Sequence, residues 1–172
     1  MSTRRYIVEP LGRQHRRATF SCGNETLDHY FRQQAEQDQR RRVAVVFVAL
    51  DTQAPGTIVG FYILSTASVE AAALPEEIAG ALPRYPHLPA ILLGRLARDE
   101  RWKGQGIGEL LLADALQRSL RVREEIGALF VIVDAIDAHA VIFYERFGFR
   151  RFPEQPGQLF LPLAGLQRDA AE

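Results

Sequence analysis

The stretch Arg101-Trp102-Lys103-Gly104-Gln105-Gly106-Ile107-Gly108 separates an apolar run from a long leucine-rich helical pattern. Glycines at alternate positions free the backbone for tight or left-handed conformations and for close approach to a ligand. Several N–H groups can then converge on one anion. The helix beginning near Gly106 adds the partial positive charge of its N-terminus. A strand, a bend, a helix and a further strand in that order imply a parallel crossover within an otherwise antiparallel sheet.

The spacing excludes two common phosphate-binding loops. A P-loop needs a Lys-Ser/Thr pair after its last glycine, whereas Gly108 is followed by Glu109 and Leu110, so no magnesium-binding hydroxyl is offered. The dinucleotide fingerprint needs a glycine at position 109 and a place near the start of a unit, not two-thirds along the chain. A nucleotide hydrolase and a dehydrogenase are both disfavoured. The pattern that fits is Arg/Gln-x-x-Gly-x-Gly/Ala, occupied by Arg101, Gly104 and Gly106.

The 172 residues are most simply one domain, 1–172, large enough to bury a core without disulfides or metal. Acidic and basic residues number 21 each and 47% of the chain is hydrophobic, which excludes a disordered or collagenous protein. The single Cys22 permits no internal disulfide and no cysteine-based zinc cage. His15, His29, His87 and His139 are scattered, so no metal is expected and the cytoplasm is the expected compartment. Apolar runs such as Leu129 to Val133 are too short to span a bilayer, and no hydrophobic segment of signal-peptide length follows Arg4 and Arg5. The balanced charge is unevenly placed. Residues 1 to 42 carry nine arginines against five acids, and residues 43 to 90 one arginine against four. Every cationic side chain is arginine except Lys103.

The periodicities predict a strand over Tyr6 to Val8, then a helix in which Leu27, Tyr30, Phe31 and Ala35 share a face after an Asn24 cap, closed by Arg40-Arg41-Arg42. Val43 to Leu50 and Thr57 to Val69 form a hairpin about Pro55-Gly56. The proline-rich stretch 71–89 is a loop with a short helix across Glu76 to Leu82, and Ala90 to Arg98 is the strand that enters the glycines. The next helix carries Leu110, Leu111, Ala115, Leu116 and Leu120 on one side and Asp114, Arg118 and Arg121 on another, and ends before Gly127. Leu129 to Ala135 is a buried strand and Asp137 to Arg146 a helix. Arg150 to Phe152 and Leu159 to Leu163 are a last strand pair divided by Pro153, Pro156 and Gly157.

This order resembles the GNAT N-acetyltransferases over essentially the whole chain. The implied fold is α/β (α+β), a mixed and mostly antiparallel sheet of six or seven strands flanked by about four helices. Four motifs narrow the likeness: Phe20-Ser21-Cys22-Gly23-Asn24 with Leu27-Asp28, Gly60-Phe61-Tyr62-Ile63-Leu64-Ser65, Leu93-Gly94-Arg95-Leu96-Ala97, and Phe143-Tyr144-Glu145-Arg146-Phe147-Gly148-Phe149. Together they resemble the GNAT toxins of bacterial toxin–antitoxin pairs, which acetylate the α-amine of aminoacyl-tRNA and block translation.

The resemblance implies acetyl-CoA as co-substrate, with no metal. Leu96, Ala97 and Arg98 would meet its acetyl and pantetheine end, and Arg101, Lys103, Gly104, Gln105, Gly106, Ile107 and Gly108 its pyrophosphate. Tyr144 would serve the departing sulfur. A phenol near ~10 and a thiol near ~8.5 make full proton transfer slightly uphill, so hydrogen bonding counts as much. No general base is assigned, although Asp137 or Glu145 could order a water. Asp28 and Cys22 read as structural, one ordering the first helical turn and the other packed. Arg5, Arg13, Arg16, Arg40, Arg41 and Arg42 are candidates for tRNA phosphates. A ribbon-helix-helix antitoxin is the implied protein partner, no membrane is involved, and a homodimer is left open. The competing readings are a GNAT enzyme for a small amine or a protein N-terminus, and a non-catalytic acyl-CoA-binding module.

Overall fold

The computed structural model of the chain describes residues 5–166. Seven strands follow the order β1-β2-β3-β4-β5-β7-β6. They are β1 (Tyr6–Pro10), β2 (Val45–Asp51), β3 (Ile58–Glu70), β4 (His87–Arg98), β5 (Phe130–Asp134), β6 (Arg150–Phe152) and β7 (Gln155–Pro162). The pairs β1–β2, β2–β3, β5–β7 and β6–β7 are antiparallel, and β4–β5 is parallel, Ala90 facing Phe130 and Leu93 facing Val133. That parallel pair is the crossover required by a strand, bend, helix and strand.

The chain gathers into two compact units, Met1–Ser65 with Gly94–Ala115, and Thr66–Leu93 with Leu116–Glu172. In the first, one core joins Leu27, Tyr30, Phe31 and Ala35 of the leading helix to Val46 and Val48 of β2, Phe61 of β3 and Ala97 of β4. Phe31 and Phe61 stack at 4.2 Å, with Phe20 edge-on to both. In the second, Val69, Leu88 and Ala90 pack with Phe130, Ile132, Phe152 and Phe160.

The leading helix differs from the even α-helix expected. It is α1 (Glu25–His29), a π segment over Tyr30–Gln34 and α2 (Ala35–Arg40), with the Ala35 N–H donating to Tyr30 O. The inserted residue widens one turn, and Tyr30 and Phe31 are both buried. Asn24 caps the start by accepting from the Leu27 N–H at 3.0 Å. At the other end Arg42 takes a left-handed φ of 65°. The Val43 N–H then returns to Asp38 O and the Arg42 N–H to Gln39 O, a Schellman closure. Because 42 and 43 are used in the cap, β2 begins at Val45 rather than Val43.

Two prolines sit inside strands where the sequence placed them in loops. Pro89 lies in β4 just ahead of the first residue paired with β5, Ala90 opposite Phe130, so its ring nitrogen falls at the end of that ladder, while its carbonyl accepts the Leu129 N–H at 2.9 Å. Pro156 lies in β7 opposite a register shift, Phe152 facing Gln155 but Arg151 facing Leu159, where no ladder N–H is needed. The remaining helices are α3 (Glu76–Ala79), α4 (Ile107–Val122) and α5 (Ala138–Arg146). Among the described residues, no helix is long and apolar enough to cross a membrane.

Candidate active site

The glycine segment leaves β4 through a 3-10 turn, Glu100–Trp102, and enters α4 at Ile107. Gly104 and Gly106 have φ of 79° and 76°, the left-handed region that an L side chain enters only with strain, whereas Gly108 lies within α4. A Cβ on Gly104 would project into open space. Ile107, Gly108 and Glu109 form the first turn of α4, where backbone N–H groups have no intrahelical acceptor. Two left-handed residues leading into free N–H groups form an anion cradle, and the residues present fit a pyrophosphate. Lys103 is exposed beside them.

The bend is held from beneath by two buried carboxylates. Asp99 is 1% exposed. Its Oδ1 accepts the Arg101 N–H at 2.9 Å and Arg101 Nε at 3.0 Å, while its Oδ2 accepts Arg101 Nη2 at 3.0 Å and the Ser21 N–H at 3.2 Å. Burial alone would raise its pKa; the Arg101 fork and the two N–H donors outweigh that and hold the carboxyl below its ordinary range. Asp51, at the end of β2, likewise accepts Trp102 Nε1 at 3.3 Å, Arg5 Nη2 at 3.2 Å and the Gln53 N–H at 2.9 Å. Burial opposes its ionisation too, and these donors again prevail. The guanidinium of Arg101 is therefore committed to Asp99 and lies 5.0 Å from the Trp102 ring centroid, bracing the loop. Gln105, also assigned to pyrophosphate, has its Oε1 taken by the Tyr6 hydroxyl at 3.0 Å.

Gly60 on β3 sets how closely α4 approaches. A Cβ there would lie 2.8 Å from Leu111 Cδ1, 2.9 Å from Ala97 O and 3.2 Å from Ile107 Cγ2. Only a missing side chain lets the first turns of α4 rest on the strands at that distance. One turn further along α4, the hydroxyl of the fully buried Tyr62 donates to Asp114, which the helical pattern had placed among the polar residues.

Tyr144 lies on α5, 7% exposed, its ring 5.3 Å from those of Phe143 and Phe149. Desolvation pushes the phenol pKa well above its usual value, so the hydroxyl remains a proton carrier and donor at neutral pH.

The family model of the acetyltransferase (GNAT) domain matches residues 42–151, which spans the bend, α4 and α5. This chain belongs to the GNAT acetyltransferases. Within that family it is 31% identical to a probable toxin TacT of Sinorhizobium fredii, over 94% of this chain and 93% of the relative. It is 36% identical to a tRNA-acetylating toxin of Mycobacterium tuberculosis, over 88% of this chain and 86% of the relative. Among solved structures it is similar to AtaT complexed with acetyl-methionyl-tRNAfMet, at TM-score 0.84 and 27% identity, covering 91% of this chain and 94% of that one. AtaTR bound with AcCoA matches at TM-score 0.80, 27% identity and 92% and 94% coverage.

Other residues assigned to this GNAT chain from its sequence are placed as follows. Ala97 is buried in the first unit's core with its carbonyl oxygen close over Gly60 of β3, while Leu96 and Arg98 are half-buried. Arg13, Arg16, Arg40, Arg41 and Arg42 are exposed, and Arg5 is drawn to Asp51. Asp137 caps α5 by accepting the Ala140 N–H at 2.8 Å, and Glu145 pairs with Arg151 at 2.9 Å, so both acids have structural partners. Asp28 accepts the Cys22 N–H at 2.8 Å and, at 3.4 Å, the Ser21 hydroxyl, ordering the chain ahead of α1 rather than the helical turn itself. Burial pushes the Cys22 thiol up to about 11, which fits a packed residue rather than a nucleophile. The sequence marks Asp51 only as the head of the turn 51–56 and does not single out Asp99, although each is an aspartate that accepts the N–H two residues on, at Gln53 and at Arg101.

Proposed function

We propose that residues 1–172 act as one cytoplasmic acetyl-CoA-dependent N-acetyltransferase domain, the toxin of a toxin–antitoxin pair, and that its acceptor is the α-amine of aminoacyl-tRNA. The braced bend at Gly104–Gly108 carries the acetyl-CoA assignment. The matches across nearly the whole chain to a tRNA-acetylating toxin and to AtaT with an acetylated tRNA support the acceptor. A ribbon-helix-helix antitoxin belongs to the same proposal, as does a homodimer.

In this reading the free N–H groups of Gly106, Ile107 and Gly108 hold the pyrophosphate, with Lys103 supplying charge. The backbone of Leu96, Ala97 and Arg98 binds the pantetheine arm as an added strand would bind. Arg101 and Gln105 contribute their backbone and their bracing. The α-amine of an aminoacyl ester is weakly basic because the ester withdraws electrons, so a neutral amine is available without a strong base. That amine forms its bond to the acetyl carbon, the carbon–sulfur bond breaks with the electron pair leaving on the sulfur as thiolate, the nitrogen releases its surplus proton to solvent, and Tyr144 Oη donates a hydrogen bond to the departing sulfur. Because burial makes this phenol a weaker acid, full proton transfer becomes less favourable and the hydrogen bond supplies the stabilisation. Holding both reactants together supplies much of the remaining acceleration.

Labelled acetyl-CoA, total charged tRNA and a panel of free amines test the acceptor. Incorporation into charged tRNA alone is expected; labelling only of free amines would overturn it. Tyr144→Phe should lower kcat by roughly 10²–10³-fold while acetyl-CoA affinity stays within twofold by calorimetry.

A further inference from the structure

A concavity with a volume of about 640 Å³ lies in the same unit as the glycine bend but away from it. Tyr6, which reaches Gln105, and Pro10, which lines the concavity, are opposite ends of β1. At roughly 3.4 Å per residue they are about 14 Å apart. Pyrophosphate bound at the bend does not reach it.

Its walls are fixed by groups whose polar atoms are already engaged. Gln39 Nε2 donates to Leu11 O at 2.6 Å, and its Oε1 accepts the Val46 N–H at 2.9 Å. The Gly12 N–H donates to His15 Nδ1 at 2.8 Å, which leaves Nε2 to donate to Glu9 at 2.7 Å. Arg17 engages Glu36 at 2.7 Å and the Phe31 carbonyl at 3.0 Å. The two acids beside the concavity are thus already partnered. Arg13, Arg40 and Arg42 line it, are exposed, and have no carboxylate partner among the described residues.

Arg42 also holds the left-handed closure of α2, a position that glycine fills without strain. An arginine that merely complemented the helix C-terminus would serve equally from the relaxed positions 40 and 41. We propose that this concavity is a binding site for the sugar–phosphate backbone of the RNA acceptor, held by Arg13, Arg40 and Arg42. It rests on the proposed acceptor and deepens it, selecting three of the six arginines singled out in the sequence. Arg5 is withdrawn to Asp51, and Arg16 and Arg41 do not line the wall. Guanidinium forks match phosphate oxygens in pairs, and these three rise from a wall whose own polar groups are already engaged.

Fluorescence anisotropy of labelled, deacylated tRNA between about 50 and 200 mM salt tests the site. The double variant R13A/R40A should bind at least 10-fold more weakly at the low end and flatten the slope of log K against log salt by about 2. R42G should weaken binding about threefold or more while its melting temperature rises, a combination that a purely structural arginine does not give. Affinities and slopes within twofold of wild type in both variants would overturn the site. So would labelled polyglutamate binding wild type more tightly than tRNA and losing that in R13A/R40A, which reassigns the concavity to an acidic peptide. Incorporation of labelled acetyl into charged tRNA by wild type separates the two levels. None there removes the proposed acceptor, whereas incorporation with unaltered RNA binding in the variants removes only this site.

Discussion

The bend at 104–106 and the helix end at 42 share one backbone conformation and fill it with opposite residues. Gly104 and Gly106 take φ of 79° and 76° with no side chain, and Arg42 takes 65° with one of the longest. Where the main chain is to meet a ligand, a side chain would stand between the N–H groups and the anion, and glycine relieves the strain as well. Where the side chain is what meets solvent or a partner, the backbone tolerates a conformation that disfavours it. The two regions also differ in support. The bend rests on Asp51 and Asp99, both buried and both multiply bonded, while the arginines beside the helix end project from a wall already satisfied internally.

The sharpest way to break the contrast is to put a side chain on the bend. Gly106→Val should weaken acetyl-CoA binding by about 30- to 100-fold by calorimetry, from roughly 1–2 kcal/mol of left-handed strain and displaced N–H donors at about 1 kcal/mol each. Next, Gly60→Val should overpack Leu111 and Ala97 at a cost of about 2–3 kcal/mol, seen as a melting temperature lower by roughly 4–10 °C. Asp99→Asn should cost about 1–2 kcal/mol at neutral pH and loosen acetyl-CoA binding with it. The same support should fail by titration. Asp51 and Asp99 both have folded-state pKa values depressed below their unfolded ones, so their stabilisation is present above the unfolded value of about 4 and is lost as pH falls through the folded values. Melting temperatures between pH 6 and 3 should show that acid limb, and Asp51→Asn with Asp99→Asn should flatten it. The smallest effect runs the other way. Arg42→Gly should raise stability by about 1 kcal/mol, or roughly 2–4 °C. An unchanged melting temperature there would mean that the helix end carries no strain.

What the sequence made legible was local or periodic. Gly104 and Gly106 announced a bend, the leucines of α4 a helix laid on a sheet, and the order of elements the parallel β4–β5 pair. The supports of the bend were not legible, because their partners are far away in the chain: Trp102 meets Asp51 across 51 positions and Ser21 meets Asp99 across 78. Nothing near Asp51 marks it as the acid beneath a loop. The π segment leaves no mark in the sequence because Leu27, Tyr30, Phe31 and Ala35 satisfy a 3.6-residue repeat nearly as well as a wider one. Pro89 and Pro156 look like punctuation because their compatibility with a strand depends on which side of the ladder needs a donor, and sequence spacing carries no such information.

Lys103 bears the only ε-amino group in the chain, and it stands at the bend. An acylating reagent that spares arginine therefore finds one side-chain amine, at the place where a phosphate-rich ligand would shield it. Mass-spectrometric footprinting of that single nitrogen gives an occupancy gauge for the bend, with no engineered probe and no other side chain contributing to the signal.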